Sequence, residues 1–118
     1  MKKLYLVLFV SFLCSSCENF GQLKVISDLP KDLKEVSGIE TTEKSKYYWM
    51  LNDGGNKPKI YALSKKGNIK REVSIESKNH DWEDLASDDE GNLYIGDFGN
   101  NNSDRQNLRI LKVKKKIT

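Results

Sequence analysis

Several classes of protein are excluded by what the sequence lacks. Its single histidine is His80, and no GxSxG, HExxH, P-loop or CxxC pattern lies in the body of the chain. That removes the common signatures of serine hydrolases, zinc peptidases, nucleotide hydrolases and thiol oxidoreductases. Both cysteines, Cys14 and Cys17, fall in the first seventeen residues. No disulfide framework or cysteine-rich metal site is then available further along. Charge of one sign is missing too. The chain has 20 basic and 17 acidic residues, and Lys2 and Lys3 lie in a segment expected to be removed, which leaves 18 against 17. Such a balance does not suit a dedicated nucleic-acid binder. The one basic run, "KVKKKI" (112–117), makes too few phosphate contacts for a polyanion site and reads as a strand with solvated lysines. With 118 residues, the chain holds one domain at most.

No apolar run reaches the ~20 residues that a membrane span needs. The longest, Leu4–Leu13, follows two lysines and precedes small residues. That order is a secretory signal peptide. The "CSSC" that ends it resembles a bacterial lipobox, in which small residues precede a cysteine that receives diacylglycerol. Ser15 and Ser16 fill the small positions before Cys17, so Cys17 is the expected lipid attachment. Cys14 stands where Leu is usual. Acylation at Cys14 would put bulky Leu13 directly before the modified residue, and a plain secretory peptide with incidental cysteines is the third reading. The expected organisation is a signal peptide over 1–16, a lipidated tether over 17–22 and a folded body over 23–118. The expected location is the bacterial cell envelope, with the exported chain held to the outer membrane or cell surface by its lipid.

The body has short β signals bounded by turn residues. "YYWML" (47–51) runs into "NDGGNKP", and "KIYAL" (59–63) into "SKKGN". "IKREVSIE" (69–76) alternates apolar and polar residues, the period of a strand with one buried face. "LASDDEGNLYIGD" reads as a hairpin around "DDEGN", and "NLRILKVKK" as a last strand. "LPKDLKEV" has room for one helical turn between Pro30 and the following "SG". The expected class is therefore all-β and antiparallel.

These segments repeat. "WMLNDGGN" (49–56) matches "LYIGDFGN" (93–100) at an offset of 44, which sets Asp53 on Asp97, Gly55 on Gly99 and Asn56 on Asn100. "EVSGI" (35–39) falls on "DWEDL" (81–85) at an offset of 46, "KIYAL" corresponds to "NLRIL", and "LKVIS" (23–27) echoes "REVSI". A β repeat of ~40–50 residues is the spacing of propeller blades with four strands each. A plain meander with shared turn chemistry is the simpler alternative.

The series "SGI", "WMLNDGGN", "KIYALSKKGNI", "DWEDLA", "GNLYIGDFGNN" and "DR" resembles bacterial six-bladed β-propellers of the SdiA-regulated and NHL-like kind, often exported or lipid-anchored. The resemblance covers about Leu23 to Lys114. It implies blade one over about 35–76 and blade two over about 81–118. A ring needs at least about four blades, so the remaining blades are missing from this chain. The sequence is then expected to be the N-terminal part of a longer protein, or a short chain that assembles into a ring.

The acidic loops are the candidate site. Asp53, Asp81, Glu83, Asp84 and Asp97, with Asn56 and Asn100, offer hard oxygen ligands at strand ends, suited to Ca²⁺ with its 6–8 oxygens. The competing reading is that each caps a turn through local bonds to the backbone. His80 beside Asp81 has no nucleophile at a familiar spacing and reads as a solvated loop histidine. Trp82, Tyr47, Tyr48 and Trp49 read as strand packing. The pattern favours a binder of an unknown ligand or protein partner over an enzyme. The alternative is a Ca²⁺-dependent hydrolase of the lactonase or esterase type.

Overall fold

The computed structural model describes residues 21–115. The expected signal segment, with Cys14 and Cys17, lies outside the described residues. Seven strands form two antiparallel sheets. β1 (Val36–Thr41), β2 (Tyr48–Asn52), β3 (Lys59–Leu63) and β4 (Ile69–Ser74) form the first sheet, in sequential order. β5 (Trp82–Ser87), β6 (Leu93–Asp97) and β7 (Arg109–Val113) form the second. The helical signal in "LPKDLKEV" yields one 3₁₀ turn, Lys31–Leu33, and no α-helix occurs among the described residues.

Turn chemistry fixes the hairpins. In the β3–β4 connection Ser64 N–H donates to Asn68 O at 2.9 Å and Gly67 N–H donates to Ser64 O at 2.9 Å. The β5–β6 connection repeats the pattern, with Asp88 N–H to Asn92 O at 3.1 Å and Gly91 N–H to Asp88 O at 2.9 Å. Gly67 and Gly91 have φ of 78° and 84°, the left-handed conformation that closes such a turn and favours glycine.

The core lies between the sheets. Leu51 and Ile60 of the first sheet pack against Trp82, Leu85, Leu93 and Ile95 of the second, all buried, and Leu111 and Val113 join them. Burying each such side chain contributes roughly 1.5–3 kcal/mol. β1 lies against β5 at the heart of this contact. The opposite face of the first sheet carries Met50, Tyr61 and Leu63, covered by Leu33 from the 3₁₀ turn. The first sheet is thus packed on both faces.

Two expectations are corrected. Leu23–Ser27, expected as a leading strand because it echoes "REVSI", is not one: it pairs with nothing, and Leu23 and Val25 are 96% and 74% exposed. An isolated extended segment has no ladder to satisfy its backbone, and its end lies instead against Gly67, where a Cβ would meet Ser27 and Asp28. The repeat register also differs. Val36 pairs with Asn52 and Trp82 with Asp97. Asn52, not Asp53, is therefore the register equivalent of Asp97. "KIYAL" is offset too, because Leu51 pairs with Ile60 while Gly96 pairs with Ile110. Loop residues aligned by type had hidden these shifts.

Candidate functional site

The loops at one end of the sheets bring three of the expected carboxylates together. Asp53 follows β2, and its N–H donates to Glu35 O at 2.9 Å. Asp81 precedes β5. Its own N–H donates to Asp97 Oδ1 at 3.2 Å, and its carbonyl accepts from Gly99 N–H at 3.0 Å. Glu83 sits at a register shift between Trp82 and Asp84. That bulge lets both Trp82 and Leu85 face the core and re-aims Glu83 toward the strand end. One carboxylate oxygen from each of Asp53, Asp81 and Glu83 lies within 4.8 Å of the others, and all three are half-buried.

Asn79, which sequence reasoning missed, holds this arrangement. It is buried, its Nδ2 donates to Asn52 O at 3.1 Å and Asp53 O at 2.9 Å, and its Oδ1 accepts from Trp82 N–H at 3.1 Å. One side chain thereby ties the end of β2 in the first sheet to the start of β5 in the second. An Asn two residues before Asp81, at the entry to a strand, was its only signal in the sequence.

The carboxylates feel different surroundings. Burial pushes the Asp81 carboxyl above its ordinary range, a shared hydrogen bond with Asp53 and repulsion from Asp53 and Asp97 add to this, and Arg105 opposes it. Glu83 is raised by burial and then by Asp53 and Asp81. Asp97 goes the other way. Burial alone would raise it, but hydrogen bonds from Arg105 and Arg109 and from the Asp81 N–H hold it low. Its Oδ1 accepts from Arg105 Nη2 at 2.7 Å and its Oδ2 from Arg109 Nε at 3.0 Å, and the side chain has no exposed surface. Asp97 is therefore an internal counter-ion beneath Asp81 and not part of the open cluster. Neither arginine had a signal at a fixed spacing from it.

The other expected residues serve the loops. Asp84 is exposed and accepts from Leu85 N–H at 2.8 Å. Asn56 Nδ2 donates to Glu35 Oε2 at 2.8 Å and to Asp53 O at 3.1 Å. Asn100 Oδ1 accepts from Arg105 N–H at 2.9 Å, and Asn100 Nδ2 donates to Arg105 O at 3.3 Å, closing the β6–β7 loop. These are the local bonds that the turn-capping reading expects.

A cleft of about 320 Å³ opens beside Asp81, lined by His80, Gly99, Asn100, Arg105 and Asn107. Gly54 and Gly99 flank the Asp81 carboxylate. A Cβ on Gly54 would stand 2.8 Å from Asp81 Oδ1, and one on Gly99 would collide with the same carboxylate. The absence of both side chains leaves room for the carboxylate to lie between these loops. The donor set fits a hard cation in part: three carboxylates supply some of the oxygens Ca²⁺ takes, and water or a ligand must supply the rest.

No protein-family model, no curated protein and no solved structure matches the chain. Among the described residues, no helix is long and apolar enough to cross a membrane.

Proposed function

We propose that this chain is an exported, lipid-anchored binding protein of the bacterial cell envelope, built on two blades of a β-propeller, with Ca²⁺ held by Asp53, Asp81 and Glu83. One observation carries the reading. Carboxylates from two sheets converge within 4.8 Å, with burial and mutual repulsion raising two of them. A divalent cation relieves that repulsion. The cleft beside Asp81 gives a polar ligand or a loop of a partner access to the bound ion. The blade reading is supported by two successive antiparallel sheets stacked with β1 against β5. In this reading the remaining blades lie outside the chain, and the lipid on Cys17 keeps the module at the membrane.

Calorimetric titration of Ca²⁺ into the full chain tests the site. Heat of binding is expected, together with a rise in melting temperature, since a ligand at 100 times its Kd stabilises the folded state by about 2.7 kcal/mol. Asp81→Asn should remove both signals. Absence of heat and of any shift in the wild type rejects the Ca²⁺ assignment.

A further inference from the structure

Glycine follows an Asp or Asn at one place in the chain, Asp53–Gly54. Such a pair closes into a succinimide more readily than other Asp–Xaa pairs, because glycine has no side chain to shield its backbone nitrogen. Here the turn also sets the reacting groups together. The Gly54 N–H donates to Asp53 Oδ1 at 2.5 Å and makes no other hydrogen bond among the described residues. The Asp53 carbonyl, the other end of the same peptide group, accepts from Asn79 Nδ2 at 2.9 Å, from Asn56 Nδ2 at 3.1 Å and from Asn56 N–H at 3.4 Å. Three donors on one carbonyl oxygen stabilise the negative charge that gathers there as the Gly54 nitrogen gives up its proton, in the manner of an oxyanion hole. Both residues are half-buried. In the second sheet the register equivalent of this pair is Phe98–Gly99, which has no carboxyl to react.

We propose that Asp53–Gly54 is a self-modification site, at which the fold converts the aspartyl link into an isoaspartyl link. The Gly54 nitrogen loses its proton to water and bonds to Cγ of the protonated Asp53 carboxyl, and one carboxyl oxygen leaves as water. A second water then opens the five-membered imide. Attack at Cγ breaks the new Cγ–N bond and restores Asp53. Attack at the backbone carbonyl breaks the original peptide bond and leaves Gly54 joined through Cγ. The water released equals the water consumed, and no other reactant enters. The donors on the backbone carbonyl polarise it and favour the second route. They also favour its product, because the freed α-carboxylate takes over the hydrogen bonds from Asn79 and Asn56 with a full charge. Conversion adds one methylene to the backbone after β2 and withdraws the Asp53 side-chain carboxylate from the group it forms with Asp81 and Glu83. The inference rests on the geometry of this turn and needs no bound ion.

The full chain, kept for days at neutral pH with a chelator and then digested and mapped by tandem mass spectrometry, tests it. Isoaspartate is expected at position 53, formed at least about tenfold faster in the folded chain than in the chain unfolded in urea. In heavy-oxygen water each isoaspartyl chain should carry one heavy oxygen at that position. Asp53→Glu, which would have to close a six-membered ring, should stay unconverted. Asn79→Ala should slow conversion at least about tenfold by removing one donor from the carbonyl, and Asn56→Ala should do the same, which guards against a misfolded first variant. Aspartate unchanged at position 53 overturns the proposal. So does conversion as fast or faster in urea, or a rate indifferent to both asparagine substitutions.

Discussion

Asp81 and Asp97 are joined by one backbone hydrogen bond yet have opposite electrostatic fates. Asp97 is fully buried between two guanidinium groups, so its carboxylate is stabilised in the folded state and its pKa is lowered. Such a group contributes stability above the ordinary carboxylate pKa of about 4 and loses it as pH falls through the lower folded value. Asp97→Asn leaves Arg105, only 14% exposed, without its counter-charge. The variant should lose about 3–5 kcal/mol at pH 7, with the deficit shrinking in acid. Asp81 has the reverse sign. Its raised pKa means that the folded chain binds a proton more tightly than the unfolded chain, so its contribution declines as pH rises above about 4. Without Ca²⁺, Asp81→Asn should therefore raise the melting temperature at pH 7. Thermal melts of both variants between pH 3 and pH 8 check the pair, and changes of the same sign at pH 7 would contradict this account.

Among the elements, the β5–β6 hairpin shows most plainly how a short sequence dictates a turn. Asp88 accepts hydrogen bonds from Glu90 N–H, Asn92 N–H, Asn92 Nδ2 and Tyr94 Oη. The Asn92 side chain is the largest of the influences that hold its carboxyl well below the ordinary range, joined by the Asn92 backbone, Tyr94 and Lys112. Asp88→Ala should lower the melting temperature by several degrees at neutral pH, with the deficit shrinking as the pH falls below the ordinary carboxylate range. An equal loss in acid and at neutral pH would show that the turn does not depend on the charge. Turns of this kind are legible because their chemistry is local: "SKKGN" and "DDEGN" close in the same way. Strands β2, β3, β6 and β7 were legible from short β runs beside turn signals, and β4 from its alternation of apolar and polar residues. The failures came from pairing. "LKVIS" has the composition of a strand but no neighbour, and the register that equates Asn52 with Asp97 depends on bulges that no residue type announces. In the site, Asp53, Asp81 and Glu83 were legible as acids at strand ends. Their convergence through Asn79, and the withdrawal of Asp97 by Arg105 and Arg109, depend on contacts between the sheets and across a loop.

At the scale of the whole molecule, the two sheets share one core, with Trp82 buried among residues of both, and the remaining question is where this body is held. The expected anchor, Cys17, precedes the 3₁₀ turn at Lys31 by fourteen residues, a reach of at most about 50 Å if extended. With the proposed lipid on Cys17, that reach would let the sheets stand clear of a bilayer. Each acyl methylene contributes ~0.8 kcal/mol to partition, so a diacylglycerol with a further acyl chain on Cys17 would hold the body essentially permanently. Cells fed a radioactive fatty acid should label the full chain, and the labelled chain should sediment with membranes. Cys17→Ala should lose the label and move the chain to the soluble fraction, while Cys14→Ala should keep both properties. Label retained by Cys17→Ala and lost by Cys14→Ala moves the attachment to Cys14, against the steric argument from Leu13. An unlabelled wild-type chain in the soluble fraction reduces the N-terminus to a plain secretory peptide and removes the membrane from the proposed function.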